Sequence, residues 1–352
     1  MLKQLLEFKQ SDRTWPIPVL AGLSVGIPIL VGYFTNALPG GKLASMAGLV
    51  ILYIPSVGAG TVRRLITLMA CSFGMMVCFS LGSLFSFNPL IAPLLLGLLA
   101  FCVHIAVYYL KMTRPPGNFF FIMIASIAIC MPFRLEAIPT NIGFVGIGTM
   151  ISFGLTLLYS LLVLKNQPRL SETLTMPKSK YVNLVESVTF GSMVGLSLLA
   201  ANLLKLPNPY WVPMSCAAVM QGVSTRHIWQ RSVQRIVGTF IGLGLTWLIL
   251  LLHPPALILC LSIIGLQLIV EFLIVRNYGL AVIFVTVLTI FLAESGSSLT
   301  VDPTTLIAAR FIDIVLGSLI GGIGGWMLYN ERLRRKAARH LRRTRLLLGV
   351  RK

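Results

Sequence analysis

The stretch Asn208-Pro-Tyr-Trp-Val-Pro-Met-Ser-Cys-Ala-Ala-Val-Met220, followed by Arg226, Arg231 and Arg235, decides how this chain is interpreted. It places a short apolar run, with two prolines and an aromatic pair near its start, directly before three arginines. A long apolar segment follows. That segment carries small residues that let helices pack closely in lipid, namely Gly238, Gly242 and Gly244. The pattern predicts a short membrane helix, a basic turn and a long membrane helix.

The composition excludes a soluble globular protein. The chain has 352 residues, of which 56% are hydrophobic and 11% charged, whereas a soluble domain carries about 25% charged residues. The formal net charge is +19, but ten of the 29 basic residues lie after Asn330. Nucleic-acid binding is therefore a poor interpretation of the charge. All six cysteines fall inside apolar runs without metal-binding spacing, which predicts free buried thiols.

Apolar runs along the chain predict an all-α polytopic membrane protein with about twelve transmembrane helices. Long and short runs follow in the order long, short, long, long, short, long, and the order then recurs. The predicted spans are 15–34, 43–55, 65–85, 89–110, 118–131, 142–164, 187–204, 210–220, 236–252, 255–275, 278–293 and 306–329. The predicted domains are a cytoplasmic segment (1–14), a first repeat (15–165), a linker (166–186), a second repeat (187–329) and a basic tail (330–352).

The distribution of basic residues predicts both termini on the cytoplasmic side. With twelve crossings, 25 of the 29 Lys and Arg residues lie inside, Arg310 lies in the membrane, and Lys42, Arg134 and Lys205 lie outside. Because six spans is an even number, both repeats enter from the same side. We therefore expect parallel six-helix repeats related by an axis along the membrane normal, with a path between them.

Several motifs of the second repeat resemble the fusaric acid resistance family of bacterial inner-membrane proteins. They are Tyr210-Trp-Val-Pro, Gln221-Gly, Arg231-x-x-x-Arg235-x-x-Gly238-Thr, Tyr278-Gly-Leu-Ala-Val-Ile-Phe and Ala309-Arg310-Phe-Ile-Asp313-x-x-x-Gly317. The resemblance implies a multi-pass inner-membrane exporter of small organic anions, aromatic carboxylic acids above all. Plant aluminium-activated malate channels are more distantly similar. Longer exporters of this kind work with a periplasmic adaptor, so an adaptor subunit and a second copy of the chain are partners to consider.

Arg310 and Asp313 are the candidates for a substrate pathway inside a span. They stand at i, i+3 on one helix face, and charges within a span usually face a bundle interior or a wet cavity. A purely structural ion pair is the alternative. Glu271 and Asp313 are candidates for proton coupling, because carboxylates in a membrane path serve as proton relays. Contact of Glu271 with Arg276 at the membrane interface is the alternative for Glu271.

Four arginines are predicted to form a cationic vestibule on the cytoplasmic side. Arg231 and Arg235 begin the ninth predicted span, and Arg63 and Arg64 are expected at the matching place in the first repeat. Such a vestibule attracts anions, and guanidinium groups bind carboxylates through two hydrogen bonds. Membrane topology and lipid headgroup contact explain the same residues without transport.

Aromatic residues near span ends are Tyr210, Trp211 and Tyr278. They are candidates for contact with an aromatic substrate, and an interfacial aromatic belt is the alternative. The sequence contains no phosphate-binding loop, catalytic triad or metal motif, so it predicts neither an enzyme nor a cofactor nor a metal site.

Three functions stay open from the sequence: an anion exporter driven by the membrane potential or a proton gradient, a passive anion channel, and an accessory membrane subunit of an efflux assembly. The predicted partners are the organic anion and, through the basic tail, anionic lipids of the inner leaflet.

Overall fold

The computed structural model describes Phe8 and residues 15–55, 60–110, 112, 116–162, 180–294 and 303–330. Over this part of the chain the secondary structure is helical, without a β-strand. The α-helices are α1 Pro16–Phe34, α2 Leu38–Gly48, α3 Thr61–Leu84, α4 Ala92–Tyr109, α5 Phe119–Cys130, α6 Ala137–Leu162, α7 Lys180–Leu203, α8 Trp211–Met220, α9 Thr225–Leu251, α10 Ala256–Leu273, α11 Tyr278–Glu294 and α12 Pro303–Tyr329. A 3₁₀ helix, Leu49–Tyr53, continues α2. The basic tail after Asn330, most of the predicted linker and nearly all of the N-terminal segment lie outside the described residues.

Helix lengths follow the predicted alternation of long and short runs. Within the described ranges, eight helices are long and apolar enough to cross a membrane, and the four shorter apolar helices are α2 with its 3₁₀ extension, α5, α8 and α11. Large apolar side chains are exposed on the outside of the bundle, such as Phe73 at 71% and Met150 at 73%. Apolar surface of this kind suits lipid and not water. The chain is therefore an all-α, multi-pass membrane protein.

Two helices begin seven or more residues before the start that the apolar runs predicted. α9 begins at Thr225 and not at residue 236, because the hydroxyl of Ser224 accepts a hydrogen bond from the His227 N–H at 3.2 Å and caps the first turn. α7 begins at Lys180, inside the stretch predicted as linker. In both cases the helix includes charged and polar residues ahead of its apolar part, so hydropathy alone placed its start too late.

Small residues set the closest helix contacts, and the contacts recur in the two halves of the chain. α1 packs against α10 through Gly26, and α4 packs against α7 through Gly97 and Gly191. Likewise α2 packs against α6 through Gly148, and α8 packs against α12 through Gly317. At both Gly148 and Gly317 a methyl group would collide with a backbone carbonyl of the short helix. Only glycine allows this approach.

Hydrogen bonds join the helix ends on each side of the bundle. On one side, Tyr53 Oη donates to the Gly117 carbonyl and Gln221 Nε2 donates to the Pro116 carbonyl, both at 2.7 Å. These bonds bring the ends of the α2 segment and of α8 to the beginning of α5. On the other side, Asn202 Nδ2 at the end of α7 donates to the Pro89 carbonyl, ahead of α4, at 2.8 Å.

Candidate functional site

A cavity of about 580 Å³ lies between the two halves of the chain. Its volume is in the range of small-molecule sites, about 300–1,000 Å³. The wall from α2 and α5 is apolar and includes Met46, Leu49, Leu52, Phe119, Phe120 and Met123. The opposite wall comes from α8 to α12 and carries the charged groups of the described lining: Arg231, Arg235, Glu271, Arg276 and Arg310. The cavity is therefore amphipathic: one wall is apolar and the opposite wall carries the cationic side chains.

The cavity reaches the side of the bundle on which Gln221 bonds to Pro116. Its lining there includes both of these residues, together with His227 in the first turn of α9 and Arg276 between α10 and α11. The predicted topology makes this the cytoplasmic side, because α8 ends and α5, α9 and α11 begin here. The other end of the cavity runs along the middle of the bundle toward Leu292 near the end of α11.

Arg310 forms one cationic part of the lining. We call Arg310, Thr289 and Trp211 together the Arg310 subsite. Arg310 Nη2 donates to Thr289 Oγ1 at 3.0 Å, and Arg310 Cζ lies 2.8 Å from the centroid of the Trp211 ring. Only 3% of Arg310 is exposed. α12 brings Arg310 to Trp211 because Gly317 leaves room for the Val212 carbonyl of α8.

Asp313 lies one turn after Arg310 on α12 and is fully buried, but it does not belong to the cavity lining. The structure therefore presents the guanidinium of this predicted pair to the cavity and places the carboxylate behind it. A carboxylate close to a buried guanidinium offsets part of the cost of removing that charge from water.

Arg231 and Arg235 form the second cationic part of the lining. We call these two arginines, with Ser215 and Tyr278, the Arg235 subsite. Arg235 Nη1 donates to Tyr278 Oη at 3.3 Å, and Arg235 Nη2 donates to Ser215 Oγ at 3.2 Å. Arg231 Cζ lies 4.1 Å from the centroid of the Tyr278 ring. The two arginines stand one turn apart on α9, and their Nε groups are buried without a hydrogen-bond partner in the described part of the chain. Such donors favour an anion in front of them.

Glu271 also faces the cavity, with only 4% of its surface exposed. Gln267 Nε2 donates to Glu271 Oε1 at 3.2 Å, and both side chains belong to α10. Arg276 Nη1 donates to the Phe272 carbonyl at 2.7 Å, and its Cζ lies 3.8 Å from the centroid of the Phe272 ring. Glu271 therefore belongs to the cavity lining.

The remaining predicted site residues lie apart from the cavity. Arg63 is exposed and Arg64 is buried in the first turn of α3, and neither belongs to the lining. Arg231 and Arg235 stand deeper, in the second and third turns of α9, because that helix begins before them. Tyr210 does not belong to the lining either, but its ring lies 5.0 Å from that of Trp211 and supports it.

Sequence reasoning missed the neutral partners of the arginines. Ser215 and Thr289 bind Arg235 and Arg310, and Thr286 and Thr239 lie between the subsites, with their Oγ1 atoms 3.5 Å apart. The available signal was a polar residue recurring at helical spacing within an apolar run, as Thr286 and Thr289 do on α11. In the described residues, no group of three or more His, Cys, Asp or Glu side chains is placed to hold a metal ion.

Comparison with known proteins finds a family model and a relative that each match part of the chain. Residues 196–323 match the family described as fusaric acid resistance protein-like, which confirms the resemblance over that stretch. The uncharacterized membrane protein YvaC of Bacillus subtilis (strain 168) is 36% identical over 141 residues, which are 39% of this chain and 22% of YvaC. The match thus spans less than a quarter of that relative. No solved structure matches the chain.

Proposed function

Because residues 196–323 match the family described as fusaric acid resistance protein-like, we propose that this membrane protein exports small organic anions, aromatic carboxylic acids in particular, from the cytoplasm. The observation that carries the proposal is the amphipathic cavity. All the charged residues of its described lining fall within the matched stretch. Guanidinium groups suit a carboxylate, and a wall of Phe, Leu and Met side chains suits an aromatic ring.

The binding chemistry follows from where these side chains stand. An aromatic acid that enters from the side of His227 and Arg276 first meets Arg231 and Arg235, and then Arg310. The ring faces Phe119 and Met123 across the cavity, while the carboxylate meets a guanidinium. Away from water these charge-assisted hydrogen bonds strengthen, because the local dielectric constant is low. The cavity therefore binds an anion with an apolar part more tightly than a small hydrated ion.

We further propose that the chain crosses the bacterial inner membrane twelve times, with both termini in the cytoplasm, as two parallel six-helix halves. The reciprocal packing of α1 on α10 and α4 on α7, and of α2 on α6 and α8 on α12, supports this arrangement. The bonds of Tyr53 and Gln221 to residues 116–117 also support it, since they bring the ends of two short helices to the start of a third. The predicted charge distribution agrees with it.

The driving force in this proposal is the membrane potential. Moving one charge across it is worth about 2.3 kcal/mol per 100 mV, and a negative cell interior drives an anion outward without any coupling ion. Glu271 is placed to add proton coupling, because it lines the cavity beside Gln267. Asp313, fully buried and outside the cavity lining, is the second candidate for this coupling.

Reconstitution of the purified protein in liposomes tests the proposal and separates it from its alternatives. Flux of labelled benzoate and electrical current are measured together, with the membrane potential and the pH gradient set independently. An exporter gives saturable flux that Arg235→Gln reduces, whereas the exposed Arg63→Gln leaves it unchanged. Large currents that do not saturate with benzoate support a passive channel. Flux no greater than that of empty liposomes contradicts transport by this chain alone and favours a role beside an adaptor or other subunit.

A further inference from the structure

We infer that the cavity binds two acidic groups at once, one at the Arg310 subsite and one at the Arg235 subsite. Its preferred substrates are accordingly dianions with an apolar core, such as benzene dicarboxylates. The inference rests on the proposed anion transport and names the substrate class of the same cavity. Three features of the site carry it: the spacing of the two subsites, the balance of charge, and the neutral lining between them.

The two subsites lie about one helical turn apart along α8. Arg235 donates to Ser215 Oγ at 3.2 Å, and Arg310 lies over the ring of Trp211. Ser215 follows Trp211 by four residues, which corresponds to roughly 6 Å along the helix axis. Two carboxylates at opposite positions of one benzene ring are separated by a similar distance. Each subsite supplies a guanidinium group of its own, so a diacid can place one carboxylate at each.

The charge of the site exceeds what one carboxylate neutralises. In the described lining, four guanidinium groups face the single carboxylate of Glu271. Counting the buried Asp313 behind Arg310 still leaves two positive charges more than negative ones. Arg235 and Arg310 are almost fully buried, with exposed fractions of 7% and 3%. A dianion balances this excess of positive charge more fully than a monoanion does.

The lining between the two subsites is neutral. Met214 lies on α8 between Trp211 and Ser215, and the hydroxyls of Thr239 and Thr286 lie 3.5 Å from each other. The wall formed by α2 and α5 contributes apolar side chains to the cavity. A ring or short hydrocarbon core fits this region, because the lining residues named here carry no charge. The substrate predicted is therefore charged at two ends and apolar in the middle.

Binding measurements on the purified protein test this inference with three probes: terephthalate, its monomethyl ester, and benzoate. Terephthalate and the monoester have nearly the same shape and differ by one negative charge. Isothermal titration calorimetry is carried out at a pH at which all carboxylic acids are ionised. We expect terephthalate to bind wild-type protein about tenfold or more tightly than the monoester, the size of one charge-assisted hydrogen-bonded contact.

Variants assign the two carboxylates to their subsites. Arg235→Gln and Arg310→Gln should each abolish the preference for terephthalate, so that diacid and monoester bind alike. Arg63→Gln, a variant of an exposed arginine outside the cavity, should keep the preference. Equal affinity of wild-type protein for terephthalate and its monoester overturns the dianion inference and leaves single-anion transport in place. This comparison uses wild-type protein only, so it does not depend on the folding of a variant. Absence of binding and flux for all three probes overturns the proposed function as well.

Discussion

Replacing Arg310 and Asp313 together by alanine tests whether these residues serve the substrate or only the fold. Arg310→Ala alone leaves the Asp313 carboxylate fully buried without the guanidinium one turn away, and breaking such a buried arrangement costs about 3–5 kcal/mol. The single variant should therefore accumulate poorly. The double variant removes both charges. It loses chiefly the hydrogen bond to Thr289, about 1 kcal/mol, and the contact with Trp211, about 1–2 kcal/mol.

The double variant should therefore reach the membrane yet export anions poorly. Loss of one guanidinium–carboxylate contact, about 1.5–3 kcal/mol, corresponds to a roughly 10- to 150-fold slower efflux at low substrate concentration. The assay is efflux of labelled benzoate from cells with matched membrane levels of each protein, with Arg63→Ala as the control. Arg310→Lys should be impaired too, because an ammonium group cannot make the bidentate contact. Efflux at the wild-type rate by the double variant would refute the substrate role of Arg310.

Three further outcomes are expected. Gly317→Leu should lower the protein level sharply, because its side chain collides with the Val212 carbonyl and separates α12 from α8; a normal level and melting temperature would contradict that packing. Glu271→Gln in liposomes should keep potential-driven flux but lose any acceleration by a pH gradient, and an unchanged acceleration excludes Glu271 as the coupling group. Deleting residues 334–352 should reduce membrane abundance, since each basic residue near anionic lipid is worth about 1 kcal/mol, while flux per molecule stays normal; lost flux at a normal protein level would count against a role limited to the membrane surface.

The helices of this fold could be predicted from sequence because each one is dominated by apolar residues. The exceptions occurred where a helix continues beyond its apolar part. Hydropathy predicted a basic turn at Arg226, Arg231 and Arg235, whereas all three residues belong to α9. Ser224 was the available signal, because serine ahead of a helix commonly caps its first turn. Its effect on the site was large, since it moves two arginines from the helix start into the cavity.

The candidate site could be predicted only in its charged members and in the aromatic residues Trp211 and Tyr278. A charge inside an apolar run is conspicuous, and so Arg310 and Glu271 were identified before the structure. Ser215 and Thr289 are ordinary in composition, and only the packing of α8 on α9 and of α11 near α12 makes them partners of arginines. The apolar wall from α2 and α5 gave no signal either, because a leucine or methionine that lines a cavity reads like one in a core.

The short helices also determine where the transmembrane voltage falls. α8 has 10 residues and α5 has 12, which correspond to about 15 and 18 Å at 1.5 Å per residue, against a hydrocarbon thickness of about 30 Å. In the proposed orientation, water in the unoccupied cavity would carry the cytoplasmic potential toward Arg310, and the electric field would fall mainly across the protein beyond it, which we call the septum. An anion that crosses this septum passes through most of the voltage in a short step. The voltage dependence of flux should therefore report the thickness of that septum, and substitutions around Arg310 should alter it more than substitutions at the cytoplasmic mouth.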